Sequence, residues 1–348
     1  MPVSPDHQHA NGEIDIASLH AQDSTGLLAR IDRAVVWDIP LTTPFRGITR
    51  RDGVLLHGPG GWGEVAPFWD YGLEASAPWL ASGLCQALGN SLLPRYRETI
   101  SVNVTVPEIS AQDASDLVRA SGARTAKVKV SGSSDKRSAD LERLEAVRSA
   151  LGRSGKVRID VNGAWDLDTA RENLPLMDRA AGGLEYAEQP CATVYDLADL
   201  RRAVDVPIAA DESIRLSANP LEIVHRRAAD VAILKVAPLG GVHRALDMAE
   251  RLGLPAVVSS ALDTSVGIMA GATLAFSLPS LSHACGLGTT HLLTQDVADP
   301  SVRPSNGTLR LDAAAPVSER LLNEVKAGPY LTTHWQTRLL HLAGALHA

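Results

Sequence analysis

Charged residues recur at nearly equal intervals at the ends of strand-like runs. TAKVKV carries Lys127 and Lys129, VRIDVNG carries Asp160 and Asn162, LEYAEQP carries Glu188, IAADES carries Asp211 and Glu212, and AILKVAP carries Lys235. From Lys129 to Asp160, Glu188, Asp211 and Lys235 the steps are 31, 28, 23 and 24 residues. Each is about one strand–helix repeat, so five adjacent parallel strands would deliver these groups to one rim. Asp160, Glu188 and Asp211 around one point would repel, and a hard divalent cation relieves that repulsion. Oxygen-only ligands favour Mg²⁺ over Zn²⁺, with Mn²⁺ as a substitute of the same kind. Taken singly, each carboxylate is equally well explained as a rim residue paired with a nearby Arg or Lys.

Lys127 and Lys129 lie two apart on a strand and therefore share a face. A second ammonium, a nearby metal and partial desolvation all lower a lysine's pKa and free it to act as a base. Lys235 comes four strands later, across the mouth from Lys129. Two lysines flanking a metal suit proton abstraction next to a carboxylate, the metal stabilising charge as it develops. The competing explanation is a pair of salt-bridge lysines closing the carboxylate ring.

The elements that must position these groups can also be read. From Arg97 the runs SVNVTV, TAKVKV, KVRIDV, GLEYAE, VPIAAD, DVAILKV, PAVVSS and LSHACG alternate with stretches of helical apolar spacing, such as Leu141, Leu144, Val147 and Leu151. Eight such repeats over residues 98–295 predict a (β/α)₈-type barrel. A doubly wound sheet competes, but SVNVTVPEIS lacks the Gly-rich phosphate turn expected after its first strand. Residues 30–97 read as an α+β capping unit: a strand in IDRAVVWDIPL, a hairpin turning at Gly58–Gly61, and a helix from Glu74 to Leu88. Thr42–Gly47 (TTPFRG) reads as a loop between the first strand and the hairpin. Residues 1–29 are polar and aperiodic and are expected to form a mobile tail, in which His7, His9 and His20 are weak metal-ligand candidates. Beyond Asp296 the barrel rhythm stops. GTLRLDAAAP reads as a strand and Val317–Ala327 as a helix, and segment 296–348 is expected to return to the capping unit. The amphipathic end of the chain suggests no function.

Bulk properties narrow the class. The chain has 348 residues, 45% hydrophobic and 21% charged, an ordinary globular composition. The formal charge of −7, without basic stripes, argues against nucleic-acid partners, and no apolar run suits membrane insertion. Cys85, Cys191 and Cys285 have no metal spacing and read as reduced thiols. With no apolar leader, the expected location is cytoplasmic. The oligomeric state is open, and a monomer is compatible with the sequence.

The segments KVK, DVNGAW, EQP, DES and LKVAPLGG resemble the muconate-lactonizing subgroup of the enolase superfamily over residues 30–330. Within it, TPFRG, SSALDTSVG (Ser259–Gly267) and HACGLGT (His283–Thr289) are similar to the actinobacterial branch that forms o-succinylbenzoate. The resemblance implies that Asp160, Glu188 and Asp211 hold the metal, that Lys129 is the general base, and that Lys235 is the cation on the other side of an enolate. It implies that Lys127 tunes Lys129 and that Asn162 and Glu212 support the site from behind. It places Arg46 on a loop over a small dicarboxylate substrate, with Ser259, Ser260 and Gly286 near its remote carboxylate. The implied reaction is a Mg²⁺-dependent syn dehydration in menaquinone synthesis. The alternative is N-succinylamino acid racemisation on the same scaffold. A dipeptide epimerase is disfavoured because CGLGT lacks an acidic pair for an α-ammonium group. A non-catalytic barrel would be expected to have lost ring residues, and none is missing.

Overall fold

The computed structural model describes residues 12–310 and 316–347. Strands β1 (Arg33–Phe45), β2 (Ile48–Gly58) and β3 (Gly61–Val65) form an antiparallel sheet in sequential order. The second hairpin turns at Gly58–Gly61 as expected. The first differs from the expected loop: β1 continues through Thr42 to Phe45, which pairs with Ile48. Only Arg46 (φ 52°) and Gly47 (φ 77°) turn the chain. Two successive positive-φ residues are the geometry that a two-residue hairpin requires, and Gly47 supplies one at no steric cost. TTPFRG is thus a hairpin tip.

Helix Leu73–Ala87 packs on this sheet at very close range, because a Cβ on Gly63 would collide with the carbonyl oxygen of Gly83. Residues 12–29, expected to belong to a mobile tail, are instead a built layer of the cap. Ile14 N donates to Ala34 O, Asp15 caps helix Ile16–Gln22, and Leu19 and Leu28 are fully buried. Three well-spaced apolar side chains and a side-chain cap outweigh the polar composition. His20 Nε2 lies 3.0 Å from Ile31 O, while His7 and His9 fall outside the described residues.

The chain returns to the cap at its end. Ala327 N donates to Val36 O, and helix Pro329–His347 buries Trp335, Leu339, Leu342 and Ala343 in the same core as Trp37, Trp79 and Leu80. The helix expected over Val317–Ala327 is shorter, Glu319–Glu324. The strand expected in GTLRLDAAAP is β12 (Thr308–Arg310), which pairs antiparallel with β4 (Thr99–Ser101) rather than with the cap. Residues 311–315 of that run fall outside the described residues.

Between lies the barrel: β5 (Val104–Val106), β6 (Thr125–Lys129), β7 (Lys156–Asp160), β8 (Leu184–Glu188), β9 (Ile208–Ala210), β10 (Val231–Lys235) and β11 (Ala256–Ser259). They are parallel and adjacent in chain order, so the doubly wound alternative is excluded. The LSHACG run forms only two bridges, Cys285 with Val102 and Gly286 with Ser259. Those bridges join the two sheet edges, with Asn103 N donating to Cys285 O at 2.9 Å and Gly286 N to Val258 O at 2.8 Å. Helices such as Ala111–Ser121 and Val242–Leu252 cover the outside, each ending on a left-handed glycine, Gly122 and Gly253. The core between strands and helices is almost wholly Val, Ile, Leu and Ala, the composition of strands buried on both faces.

Candidate active site at the barrel mouth

Strand register brings the charged residues together. Lys129 pairs with Asp160, Asp160 with Glu188, and Glu188 with Ala209, two positions before Asp211. These four therefore lie at one end of the strands, with Lys235 at the end of β10 beside Ser259. The carboxylates are almost completely buried.

Their partners are ammonium and guanidinium groups. Lys127 Nζ donates to Asp160 Oδ2 at 2.9 Å and to Glu188 Oε1 at 3.0 Å. Lys129 Nζ donates to Asp160 Oδ2 at 2.6 Å and also to Asn162 Oδ1. Lys235 Nζ donates to Asp211 Oδ2 at 2.6 Å, and Arg215 Nε to Asp211 Oδ1 at 2.9 Å. Asn162 Nδ2 donates to Glu212 Oε1 at 3.0 Å. Among the described residues no three His, Cys, Asp or Glu side chains converge on one point. Each carboxylate instead faces a basic group, so the ion-pairing explanation and the common-rim explanation hold together in this arrangement.

The electrostatics separate the two neighbouring lysines. Burial would lower Lys127, but the Asp160 and Glu188 carboxylates outweigh it and hold its pKa well above the ordinary value. Lys129 goes the other way: burial is the largest cause, the Lys127 charge adds to it, and its pKa falls below the ordinary value despite Asp160. Of the pair, Lys129 is the one poised to give up a proton. Burial and the neighbouring Asp160 carboxylate push Glu188 up to about 7. Burial would raise Asp160 and Asp211 too, but the lysines around Asp160, and Arg215 with Lys235 around Asp211, bring both below the usual carboxylate range.

Above this layer is a cavity walled by Lys127, Lys129, Asp160, Asn162 and Lys235 from the barrel and by Arg46, Phe45 and Phe68 from the cap. Ser259, Ser260 and Gly286, at the end of β11 and beside it, complete its lining. Ser260 Oγ is engaged internally, donating to Gly286 O at 2.7 Å. A side chain at Gly286 would meet the Ser259 hydroxyl and push it from its present rotamer. Glu188 and Asp211 do not line the cavity; they lie beneath it, and Glu212 stands behind Asn162 in an adjoining pocket. Arg46 stacks over Phe68 at 4.4 Å and over Tyr71 at 5.0 Å.

Several wall residues escape sequence reasoning. Arg215 follows Asp211 by four residues, a helical spacing that could have flagged it. Tyr71, Trp79, Thr105, Pro238 and Thr289 carry no comparable signal. Among the described residues no helix is long and apolar enough to cross a membrane.

Comparison with known proteins fits this architecture. Residues 36–87 match the enolase N-terminal domain-like family and residues 110–316 the enolase C-terminal domain-like family. The o-succinylbenzoate synthase of Thermobifida fusca is 52% identical over 305 residues, covering 86% of this chain and 93% of that protein. That of Mycobacterium tuberculosis is 46% identical over 314 residues, covering 90% and 94%. Among solved structures, the Bacillus subtilis L-Ala-D/L-Glu epimerase superposes with a TM-score of 0.69 at 25% identity, covering 83% of this chain and 98% of that one. The muconate lactonizing enzyme of Pseudomonas putida gives 0.70 at 21% identity, covering 85% and 99%. With both domain families matched in order and half the residues shared with such relatives over most of the length, this chain belongs to the o-succinylbenzoate synthase family of the enolase superfamily.

Proposed function

We propose that this carbon–oxygen lyase catalyses the syn dehydration of 2-succinyl-6-hydroxy-2,4-cyclohexadiene-1-carboxylate to o-succinylbenzoate, a step of menaquinone biosynthesis in the cytoplasm. The observation that carries the reading is the unequal pair Lys127 and Lys129 facing one cavity opposite Lys235. Neutral Lys129 takes the proton from the carbon bearing the ring carboxylate. The resulting enediolate expels the hydroxyl from the same face, and the Lys129 ammonium returns the proton so that it departs as water. Loss of one water and aromatisation of the ring balance the reaction. Lys235 stays charged throughout and stabilises the intermediate electrostatically. Arg46, on its hairpin tip, provides a cation for a dicarboxylate, and Ser259 with the Gly286 backbone borders the space for its remote end.

A divalent cation, Mg²⁺ with Mn²⁺ as substitute, fits the donor set. Asp160, Glu188 and Asp211 are hard oxygen ligands on adjacent strands, and burial with the Asp160 carboxylate pushes Glu188 up to about 7, a repulsion that a bound cation would relieve. These three would hold it, with Asn162 and Glu212 behind them, and when bound it would supply Lewis-acid stabilisation of the substrate carboxylate.

The second reading is an N-succinylamino acid racemase, favoured by the presence of both Lys129 and Lys235 in one cavity, since racemisation needs a proton carrier on each face. A solved N-succinyl Arg/Lys racemase from Bacillus cereus shares the fold at TM-score 0.72 and 21% identity, covering 84% of this chain and 96% of that one. The deciding experiment follows the loss of ultraviolet absorbance of the cyclohexadiene substrate with Mg²⁺ and with EDTA. Fast, metal-dependent loss supports the synthase. No turnover with Mg²⁺ sinks it and moves the assignment to the racemase.

A further inference from the structure

Arg215 is a barrel residue whose side chain is 4% exposed. Its three guanidinium nitrogens are all engaged: Nε with Asp211, Nη2 with Glu212 Oε1 at 2.7 Å, and Nη1 with the phenol oxygen of Tyr71. Three of its five N–H donors are thus committed to protein partners. What it joins is unusual, because Tyr71 belongs to the cap, 144 positions away in sequence. Tyr71 packs edge-on against Phe68 at 5.6 Å, and both rings wall the cavity.

The cap is anchored elsewhere by contacts on the β11 side. Glu64 of β3 accepts Gly267 N at 3.0 Å and Thr264 N at 3.2 Å, at the start of helix Ser265–Ser277. Gln86 Nε2 donates to Val266 O at 2.9 Å. The β9 side carries the half-buried Tyr71–Arg215 contact instead. Through Asp211 that contact reaches Lys235, because Asp211 gives one carboxylate oxygen to each of the two cations.

We propose that Arg215 is a positioning residue that links the seating of the aromatic cap segment Phe68–Tyr71 to the placement of Asp211 and Lys235. This rests on the proposed role of Lys235 in the reaction. When the cap sits down, Tyr71 fixes the guanidinium, the guanidinium fixes the Asp211 carboxylate, and Lys235 is held at its post. When the cap lifts, Arg215 loses one of three partners and Asp211 is free to turn. A substrate that packs against Phe68 and Tyr71 therefore assembles the far side of the site as it binds.

The test is a double-mutant cycle with Tyr71→Phe and Arg215→Lys, read by kcat/KM and by amide hydrogen exchange over residues 66–73. Tyr71→Phe removes one hydroxyl and keeps the ring, so it leaves packing intact. The expected result is a kcat/KM loss of about tenfold for Tyr71→Phe, mostly in KM. Arg215→Lys should lose more, with kcat falling as well, because Asp211 is also released. In the Arg215→Lys background Tyr71→Phe should add little. Each single variant should speed exchange over 66–73 without substrate. Additive losses, or exchange unchanged in both variants, would overturn the link. If Arg215→Lys fails to fold, Tyr71→Phe alone still decides: an unchanged KM and unchanged exchange refute the proposal. If the wild type turns over no cyclohexadiene, the functional reading fails, and the exchange measurement still judges the link.

Discussion

Lys127 and Glu188 form an ion pair at 3.0 Å, both side chains at least nine-tenths buried, and the same ammonium holds Asp160 at 2.9 Å. Two carboxylates thus share one cation in the wall of the cavity. Lys127→Met should cost about 3–5 kcal/mol of stability, since it leaves two buried carboxylates with less compensation. Urea unfolding of the variant at neutral pH measures it. A change under about 1 kcal/mol would mean that water or another lysine already shields these groups.

Lys129 and Lys235 should separate by reaction. Lys129→Ala is expected to lower dehydration at least about a thousandfold, because no other group with a lowered pKa faces the cavity from that strand. Lys235→Arg keeps a cation and loses a proton carrier. It should abolish solvent deuterium incorporation into an N-succinylamino acid more thoroughly than it slows dehydration. Equal losses in both assays would count against these roles.

Divalent cation binding should appear in the folding equilibrium without any assay of turnover. At a hundredfold excess over its dissociation constant, Mg²⁺ should stabilise the protein by about 2.7 kcal/mol. Asp211→Asn should remove most of that stabilisation. A Mg²⁺-dependent shift of the same size in the variant would place the ion elsewhere.

Acid stability is set partly at the other end of the strands. Arg158 is fully buried and donates to Glu185 Oε2 at 2.6 Å, while His283 Nδ1 lies 3.0 Å from Oε1. Burial would raise the Glu185 carboxyl, but the bonds from His283 and Arg158 outweigh it and lower it from 4.5 to about 2. A depressed carboxylate pKa adds stability that is whole above the unfolded value and lost as pH falls from about 5 to 2. The contribution is on the order of 2–3 kcal/mol. Glu185→Gln should be less stable at pH 7 and show a flatter decline between pH 5 and 2. Parallel acid-unfolding curves for the two proteins would refute the assignment.

The barrel and its rim were legible because both are periodic. Strand pairing in parallel register converts equal sequence steps into one layer, so Lys129, Asp160, Glu188 and Asp211 announce their neighbourhood by spacing alone. Three features were not legible. The strand through Thr42–Phe45 was hidden by its proline and threonines, since hairpin pairing with Ile48 decides it. The order in residues 12–29 depends on apolar contacts with a sheet that composition does not reveal. Tyr71 meets Arg215 only because the cap folds over β9, a contact between distant segments that leaves no local pattern. Arg215 itself stood in plain view beside the carboxylates and lacked only a reason to be chosen.

The cap's core draws on segments far apart in sequence: Leu19 and Trp37 from one, Trp335 and Leu339 from the other. Trp335 Nε1 donates to Asp52 Oδ1 at 2.7 Å, so the last helix is stitched to the second strand. That helix supplies no wall of the cavity, yet the sheet that carries Phe45 and Arg46 over the charged rim rests on it. The roof of the site is therefore held from above by residues that never face what lies beneath it.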